Sequence, residues 1–355
     1  MSTSSRKVQP HLVYLDAFLV DRAAVQMGLA LTLLASTSGV RYATVSGISK
    51  GGGMLASTAR ALAEKLGRDV LDLLAPWDPR YVPPKLNDSP FGGSTEWECT
   101  DYLEPGHKTS NGLYYIVCRM QHRHSPAKQG RGKFYHLSWV PQAKRDSMRH
   151  MLSRHADVCS LVGIHQRIAV NLTSTPVTGD DGWWVIDEWV GEQSLADRLK
   201  TAPWPAEELP QLLLDIASGL QILHQAQIVL RELAPCRILI SDRDNRAVLT
   251  DFELAKLFDG GPSVSTEWEE DPFRAPEVGG GEISIRADLY SFGQVVGAAL
   301  NGPGFDPGRT ADLIAESNIP DRLQRLLLAC IEPSPERRKV ELPQLIKELT
   351  RWAKG

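Results

Sequence analysis

The stretch that most restricts what this chain can fold into is IVLRELAPCRILI at 228–240, with TDFELAK following at 250–256. Its rhythm is a short apolar strand, a tight loop, a second strand, and a second loop ending on Asp251-Phe252. The charged letters Arg231, Glu232, Arg237 and Asp251 all fall in the loops. Loops carried on a rigid support are where reacting groups are held, so this stretch needs a folded body behind it.

With 355 residues the chain has room for two domains, or one large domain and an appendage. Hydrophobic residues make up 42% and charged residues 23%, an ordinary globular balance. A net charge of −4 creates no whole-chain field toward nucleic acid or membrane. Cys99, Cys118, Cys159, Cys236 and Cys330 are dispersed without a CxxC pair, which reads as free thiols in a reducing compartment. No long apolar core precedes a small-residue cleavage site near the N-terminus, and Asp21 and Arg22 interrupt the apolar stretch that begins at Ala17. The expectation is a cytoplasmic protein with no membrane segment.

Residues 1–75 read as an α/β segment of β-α-β-α order. HLVYLDAFLV (11–20) reads as a strand, DRAAVQMGLALTLLAST (21–37) as a helix, VRYATVSGI (40–48) as a second strand and MLASTARALAEKLGRDVLDLL (54–74) as an amphipathic helix. The glycines of SKGGG between them read as a tight turn. A Pro/Gly-rich linker is expected over 76–93, since 75–94 holds five prolines in twenty residues. From 94 onward the texture changes. EWECTDYLEP, GLYYIVCRM and KFYHLSWV read as three strands and QAKRDSMRHMLSRH as a helix; IHQRIAVNL and WWVIDEWV read as two more strands, and helices dominate thereafter.

The order of six landmarks carries a resemblance. They are VIDEWVGEQSLADRL at 185–199, LHQAQIVLRELAPCRILI ending at 240, LTDFELAK at 249–256, FRAPEV at 273–278, ADLYSFGQVV at 287–296 and PSPERRK at 333–339. In this order and spacing, residues 94–355 resemble a bacterial-type serine/threonine protein kinase domain. The implied fold class is α+β: a two-lobed kinase-like fold, small lobe about 94–190 and large lobe about 191–355, behind an N-terminal α/β appendage. The resemblance assigns structural roles to Arg231, to the pair Glu277–Arg338, and to Asp288 as a cap on the catalytic-loop backbone.

The same resemblance exposes missing chemistry. Kinases need a catalytic Asp, an Asn and an Asp on magnesium, and a Lys on the phosphates. The pattern HRDLKPxN falls on Leu230 to Arg237, so the base is Glu232, the phosphate-contacting Lys is Ala234 and the magnesium-binding Asn is Arg237. DFG falls on Asp251, Phe252 and Glu253, and the Gly-Thr closing the activation segment falls on Glu269 and Glu270. FYHLSWV, read as the strand that should carry VAIK, holds no lysine, and Lys133 precedes it by too much to take that place. EPGHKTSNGL supplies Gly106 and Gly112 without GxGxxG. The partner of the missing lysine falls near Asp146, and Asp187 takes the place beside the adenine pocket where a neutral residue is usual.

Arg237 is therefore expected either to turn toward Asp251 and substitute for a metal ion or to point to solvent. Two like unit charges near 4 Å cost about 4 kcal/mol at an effective dielectric of 20, and a divalent ion about doubles that. The expected function is a catalytically inactive kinase-like scaffold or regulator that binds a protein partner. The alternative is an atypical, weakly active serine/threonine kinase that binds ATP. No cofactor or metal is expected; ATP, if it binds at the cleft and hinge residues Asp187, Glu188, Val190 and Asp251, should bind weakly and without metal. A third reading is a nucleic-acid-associated module using Arg119, Arg123, Lys128, Arg131 and Lys133, a basic run without acids; its bland counterpart is a solvated hairpin loop.

Overall fold

A computed structural model describes residues 12–68, 70, 73–75, 78, 96–108, 114–137, 142–176, 182–257, 271–279 and 284–355. The chain divides into two compact units: Met1–Arg119 with Lys133–Arg145 and Pro176–Trp183, and Met120–Gly132 with Asp146–Thr175 and Trp184–Gly355.

The N-terminal residues form a small helical body. A two-residue strand β1 (Leu12–Val13) pairs antiparallel with β2 (Met54–Leu55). Around this pair lie α1 (Ala17–Gln26), α2 (Leu31–Ser38), α3 (Tyr42–Gly47) and α4 (Ala56–Lys65). Their shared core holds Val13, Leu15, Val20, Leu34, Ala35, Val45, Ile48, Ala59 and Leu62. The strand expected over 40–48 is instead α3 and a following 3-10 turn, and the strand expected over 11–20 shrinks to two residues before α1 begins. The reason is packing. Val45 and Ile48 are three apart and both buried, which a helix achieves and an alternating strand does not. Asp78, inside the expected linker, is buried and accepts the Tyr14 N–H at 2.8 Å; most of 76–93 lies outside the described residues.

Next come β3 (Trp97–Lys108), β4 (Tyr114–His122) and β5 (Ser125–His136), the long helix α5 (Gln142–Val162), then β6 (Asn171–Pro176) and β7 (Gly182–Glu188). The five strands make one sheet in the order β3-β4-β5-β7-β6. β7 reads GWWVIDE and is buried from Gly182 to Asp187.

The helical block starts with α6 (Leu195–Leu199) and α7 (Leu209–Gln225). Four short strands follow: β8 (Ile228–Val229), β9 (Ile238–Ile240), β10 (Ala247–Leu249) and β11 (Lys256–Leu257). The block closes with α8 (Ile285–Asn301), α9 (Thr310–Glu316), α10 (Asp321–Cys330) and α11 (Leu342–Ala353). α7 and α8 are buried over most of their circumference: Leu213, Ile216, Leu220, Leu223, Phe292, Val295 and Val296 are all fully enclosed. Helices apolar on nearly all sides belong at the centre of a domain. This is a kinase-type arrangement, five strands with one helix and then a helical block. Among the described residues no single helix is long and apolar enough to cross a membrane.

Candidate functional site

Two short antiparallel strand pairs position the loop 230–237. β9 pairs antiparallel with β10, and β8 with β11. Beneath them α8 offers Asp288, whose side chain is wholly buried. Its carboxylate accepts the backbone N–H of Leu230 and of Arg231, each at 2.9 Å, and contacts His224 Nε2 at 2.9 Å. A buried carboxylate with three partners pins the loop backbone in place. Arg231 and Asp251 sit at φ 71° and 68°, left-handed conformations uncommon for non-glycine residues and typical of constrained functional loops. Burial pushes Arg231 down to about 10, and the like charge of Arg154 on α5 adds to the effect.

On the rim of this loop the catalytic letters make contacts of their own. Glu232, in the place of the general base, has no exposed side-chain surface. One of its oxygens accepts from Arg237 Nη2 and the other from Arg274 Nη2 at 2.8 Å. Arg237, 18% exposed, thus makes its contact with Glu232, where the sequence suggested Asp251. Burial alone would lower Arg237; the Glu232 carboxylate, Cys236, Asp251 and Glu253 outweigh it and hold the guanidinium charged. Asp251 Oδ1 accepts the Thr250 hydroxyl at 3.1 Å, and Glu253 is buried where the family has a small glycine. Ala234 is buried and supplies no charge. The Arg237 guanidinium thus sits in the field of Glu232, Asp251 and Glu253, and a cation brought beside it would meet a like charge. Glu269 and Glu270 lie outside the described residues.

Asp187 is held within a polar cluster. Its Oδ1 meets His155 Nε2 and Asn171 Nδ2, both at 2.9 Å, and its Oδ2 accepts the Thr250 hydroxyl at 3.4 Å. His155 on α5 also accepts the Phe252 N–H on Nδ1 at 3.2 Å and stacks on the Phe252 ring, 5.2 Å between centroids and 15° from parallel. Burial opposes charge on His155, but Asp187 outweighs it and raises the ring above the usual imidazole range. The Phe252 amide limits that rise, because a second proton on Nδ1 would displace it. One cluster therefore ties α5, β6, β7 and the Asp251-Phe252 loop together. Asp146, the residue suggested for this helix's functional face, is instead 93% exposed and pairs with Arg149. No local pattern marks His155, Asn171 and Thr250, which come from three separate segments of the chain.

The connection after β7 is tied to the helical block. Glu188 is exposed, and its N–H donates to Val170 O at 2.8 Å. Val190 O accepts the Asp242 N–H at 3.1 Å, and Trp189 Nε1 donates to Asp242 Oδ2 at 3.2 Å. Arg131 on β5 donates to Glu192 O at 3.0 Å and is buried.

β5 also corrects the sequence reading of the lysine. The third strand in the sheet runs Ser125–His136, so FYHLSWV is only its end and Lys133 lies within it. The VAIK places then fall on Gly130, Arg131, Gly132 and Lys133. A Cβ on Gly132 would meet Met120 and Trp184, so strand alternation puts Arg131 and Lys133 together on the opposite face. Lys133 is buried, its ammonium 4.8 Å from the Tyr115 ring centroid. The basic run is therefore not one solvated face: Arg123 and Lys128 are exposed, while Arg131 and Lys133 are enclosed. The signal was available, since Arg131, Lys133 and Tyr135 alternate with Gly130, Gly132 and Phe134.

Deeper in the helical block, Arg338 forms a two-pronged pair with Glu277 at 2.5 and 2.7 Å and donates to the carbonyls of Glu332, Arg286 and Pro333.

Sheet, helical block, pinned loop and Glu277–Arg338 pair define the class as protein kinase-like. Residues 134–353 match the protein kinase domain, and the chain belongs to that family. It is similar to the probable serine/threonine-protein kinase PBL4 of Arabidopsis thaliana, 31% identical over 185 residues, covering 50% of this chain and 44% of that protein. It is also similar to the probable serine/threonine-protein kinase kinY of Dictyostelium discoideum, 25% identical over 276 residues, covering 70% and 48%. A third relative is the serine/threonine-protein kinase pkn2 of Myxococcus xanthus, 32% identical over 150 residues, covering 40% and 18%. The chain thus spans less than half the length of these curated relatives.

Proposed function

We propose that the kinase-like domain acts as a pseudokinase: a scaffold or regulator that engages a protein partner in the cytoplasm and transfers no phosphate efficiently. The observation that carries this reading is the clamp on Glu232. Both carboxylate oxygens are taken by guanidinium groups, one from Arg237 in the loop and one from Arg274 of the FRAPEV segment. A general base must be within hydrogen-bond reach of the hydroxyl it deprotonates, and a misplaced one removes about two to four powers of ten in rate. Arg237 also stands where a magnesium ligand is needed, so nucleotide, if bound, should bind weakly and without metal.

Lys133 favours a second reading, a weakly active serine/threonine kinase, because it puts a lysine on the third strand of the sheet after all. One assay separates the two. Purified full-length protein is incubated with radiolabelled ATP and either magnesium or manganese, with itself and generic substrates as acceptors. The first reading expects no incorporation above background. Incorporation that disappears in Asp251→Ala and in Lys133→Ala would establish the second.

A further inference from the structure

The N-terminal helices carry a feature that the kinase family does not account for. α2 and α3 are joined by only three residues, Gly39, Val40 and Arg41. Gly39 adopts φ 68°, which suits glycine, and its N–H closes onto Ala35 O, where the Val40 N–H also arrives at 3.0 Å. Leu34 and Ala35 of α2 pack in one core with Val45 and Ile48, against α1 and α4. Two helices joined by a three- to four-residue glycine turn, the second offering an outward face, is the layout of a helix-turn-helix.

The outward face fits that use. Arg41, Tyr42, Ala43, Ser49 and Lys50 are exposed, Tyr42 by 53%, while Val45 and Ile48 point inward. The hydroxyls of Ser46 and Ser49 fold back on Ala43 O and Ser46 O, leaving their surface small. Between Ala23 and Ala63 there is no Asp or Glu, and the charged residues are Arg41, Lys50 and Arg60. A chain of net charge −4 has thus kept this whole stretch around one turn free of acid.

We propose that residues 31–50 form a helix-turn-helix that docks on duplex DNA, with α3 in the major groove and Arg41 and Lys50 against the phosphates. A second helix lying in the groove reads base edges, and basic side chains beside it neutralise phosphates and release counterions. Tyr42, at the start of α3, is placed to contact bases.

The test is fluorescence anisotropy of full-length protein with a labelled random-sequence duplex of about 30 base pairs, titrated with salt from about 50 mM upward. The expected result is binding that weakens steeply with salt. Arg41→Ala/Lys50→Ala should weaken it about tenfold and reduce the salt slope by roughly two, one for each phosphate no longer neutralised. Arg123→Ala/Lys128→Ala, in the sheet hairpin, should leave it unchanged. Thermal melts should match the parent, both changed residues being exposed; if the Ala pair melts early, Arg41→Gln/Lys50→Gln replaces it. Selection from a randomised duplex pool should enrich a motif that Tyr42→Ala blurs. No binding at about 50 µM protein in low salt would overturn the proposal. So would binding indifferent to the Arg41/Lys50 change, or the same change dissolving a self-associated species with no DNA effect, which would make the face a protein contact.

Discussion

The floor of the catalytic loop and its rim obey different rules in this molecule. On the floor, Asp288 holds two backbone amides and His224, and Arg338 holds Glu277 and three carbonyls, the contacts a kinase fold needs to set its loops. On the rim, Glu232, Ala234, Arg237 and Glu253 replace the family's reagents, and the charges they introduce are satisfied by one another and by Arg274. Polar groups at the floor hold loop backbone; polar groups at the rim pair with one another. If that division is real, changing the floor should destroy the protein, and changing the rim should alter ligands more than stability.

The sharpest break of the comparison is Arg338→Leu. It leaves Glu277 without its counter-charge and takes the guanidinium donors from three carbonyls, and removing one partner of a buried pair costs about 3–5 kcal/mol. Loss of the cooperative thermal transition is expected; a melt within a few degrees of the parent would show that the floor does not hold the fold.

Asp187→Leu comes next, on the back wall between floor and rim. It would leave His155 Nε2 only the long Cys159 Sγ contact at 3.6 Å and take one bond each from Asn171 Nδ2 and Thr250, and a buried unsatisfied group costs about 1–3 kcal/mol. Adding His155→Leu should recover part of the loss, because replacing both partners is milder than orphaning one. A double variant less stable than the sum of the singles would mean that the cluster does not act as a unit.

On the rim, Arg237→Asn restores an oxygen ligand and removes a charge, while Arg274 keeps one oxygen of Glu232. Stability without ligand should change little. A magnesium-dependent thermal shift with ATP should appear: at tenfold over its Kd a ligand stabilises by about 1.4 kcal/mol. Phosphotransfer should stay poor, because Ala234 and the longer Glu232 remain. A parent protein that already shows the magnesium-dependent shift would end the division between floor and rim.

How much of this was readable beforehand follows the same line. The helical block announced itself because its landmarks are buried contacts with fixed spacing: FRAPEV and PSPERRK predict a Glu–Arg pair, ADLYSFGQVV a buried Asp. The strand carrying Lys133 was misplaced because β5 opens with SPAKQGRG, a run of low strand propensity that the sheet forms through pairing rather than local preference. α3 was misread in the opposite direction. VRYATVSGI is rich in β-branched and aromatic letters, and only its contacts with Leu34, Ala35 and Leu62 make a helix the better solution. The clamp was half visible: Glu232 and Arg237 stood in the motif, but Arg274 comes from 42 residues away and no local pattern places it there.

The smallest expected effect lies outside both floor and rim, at the start of α6. Ser194 caps this helix reciprocally: its hydroxyl accepts the Asp197 N–H at 3.2 Å, and Asp197 Oδ2 receives the Ser194 N–H at 3.0 Å and its hydroxyl at 2.6 Å. Ser194→Ala should cost about 1 kcal/mol, the usual value of a helix cap. Its pH dependence distinguishes the cap from a general packing defect. Burial would raise Asp197, but Lys200 and the Ser194 hydroxyl and amide outweigh it and lower the carboxyl below its ordinary 3.8. A lowered carboxyl contributes stability that is present above its unfolded value and lost as pH falls through the folded one. The gap between parent and Ser194→Ala should therefore stay constant from neutrality to about pH 4.5 and narrow below the ordinary aspartate range. A gap that persists in acid would assign the loss to packing of α6 against the loop 234–237. The cap would then belong to the floor, and the boundary drawn between a structural floor and a rim of paired charges would have to move outward to include it.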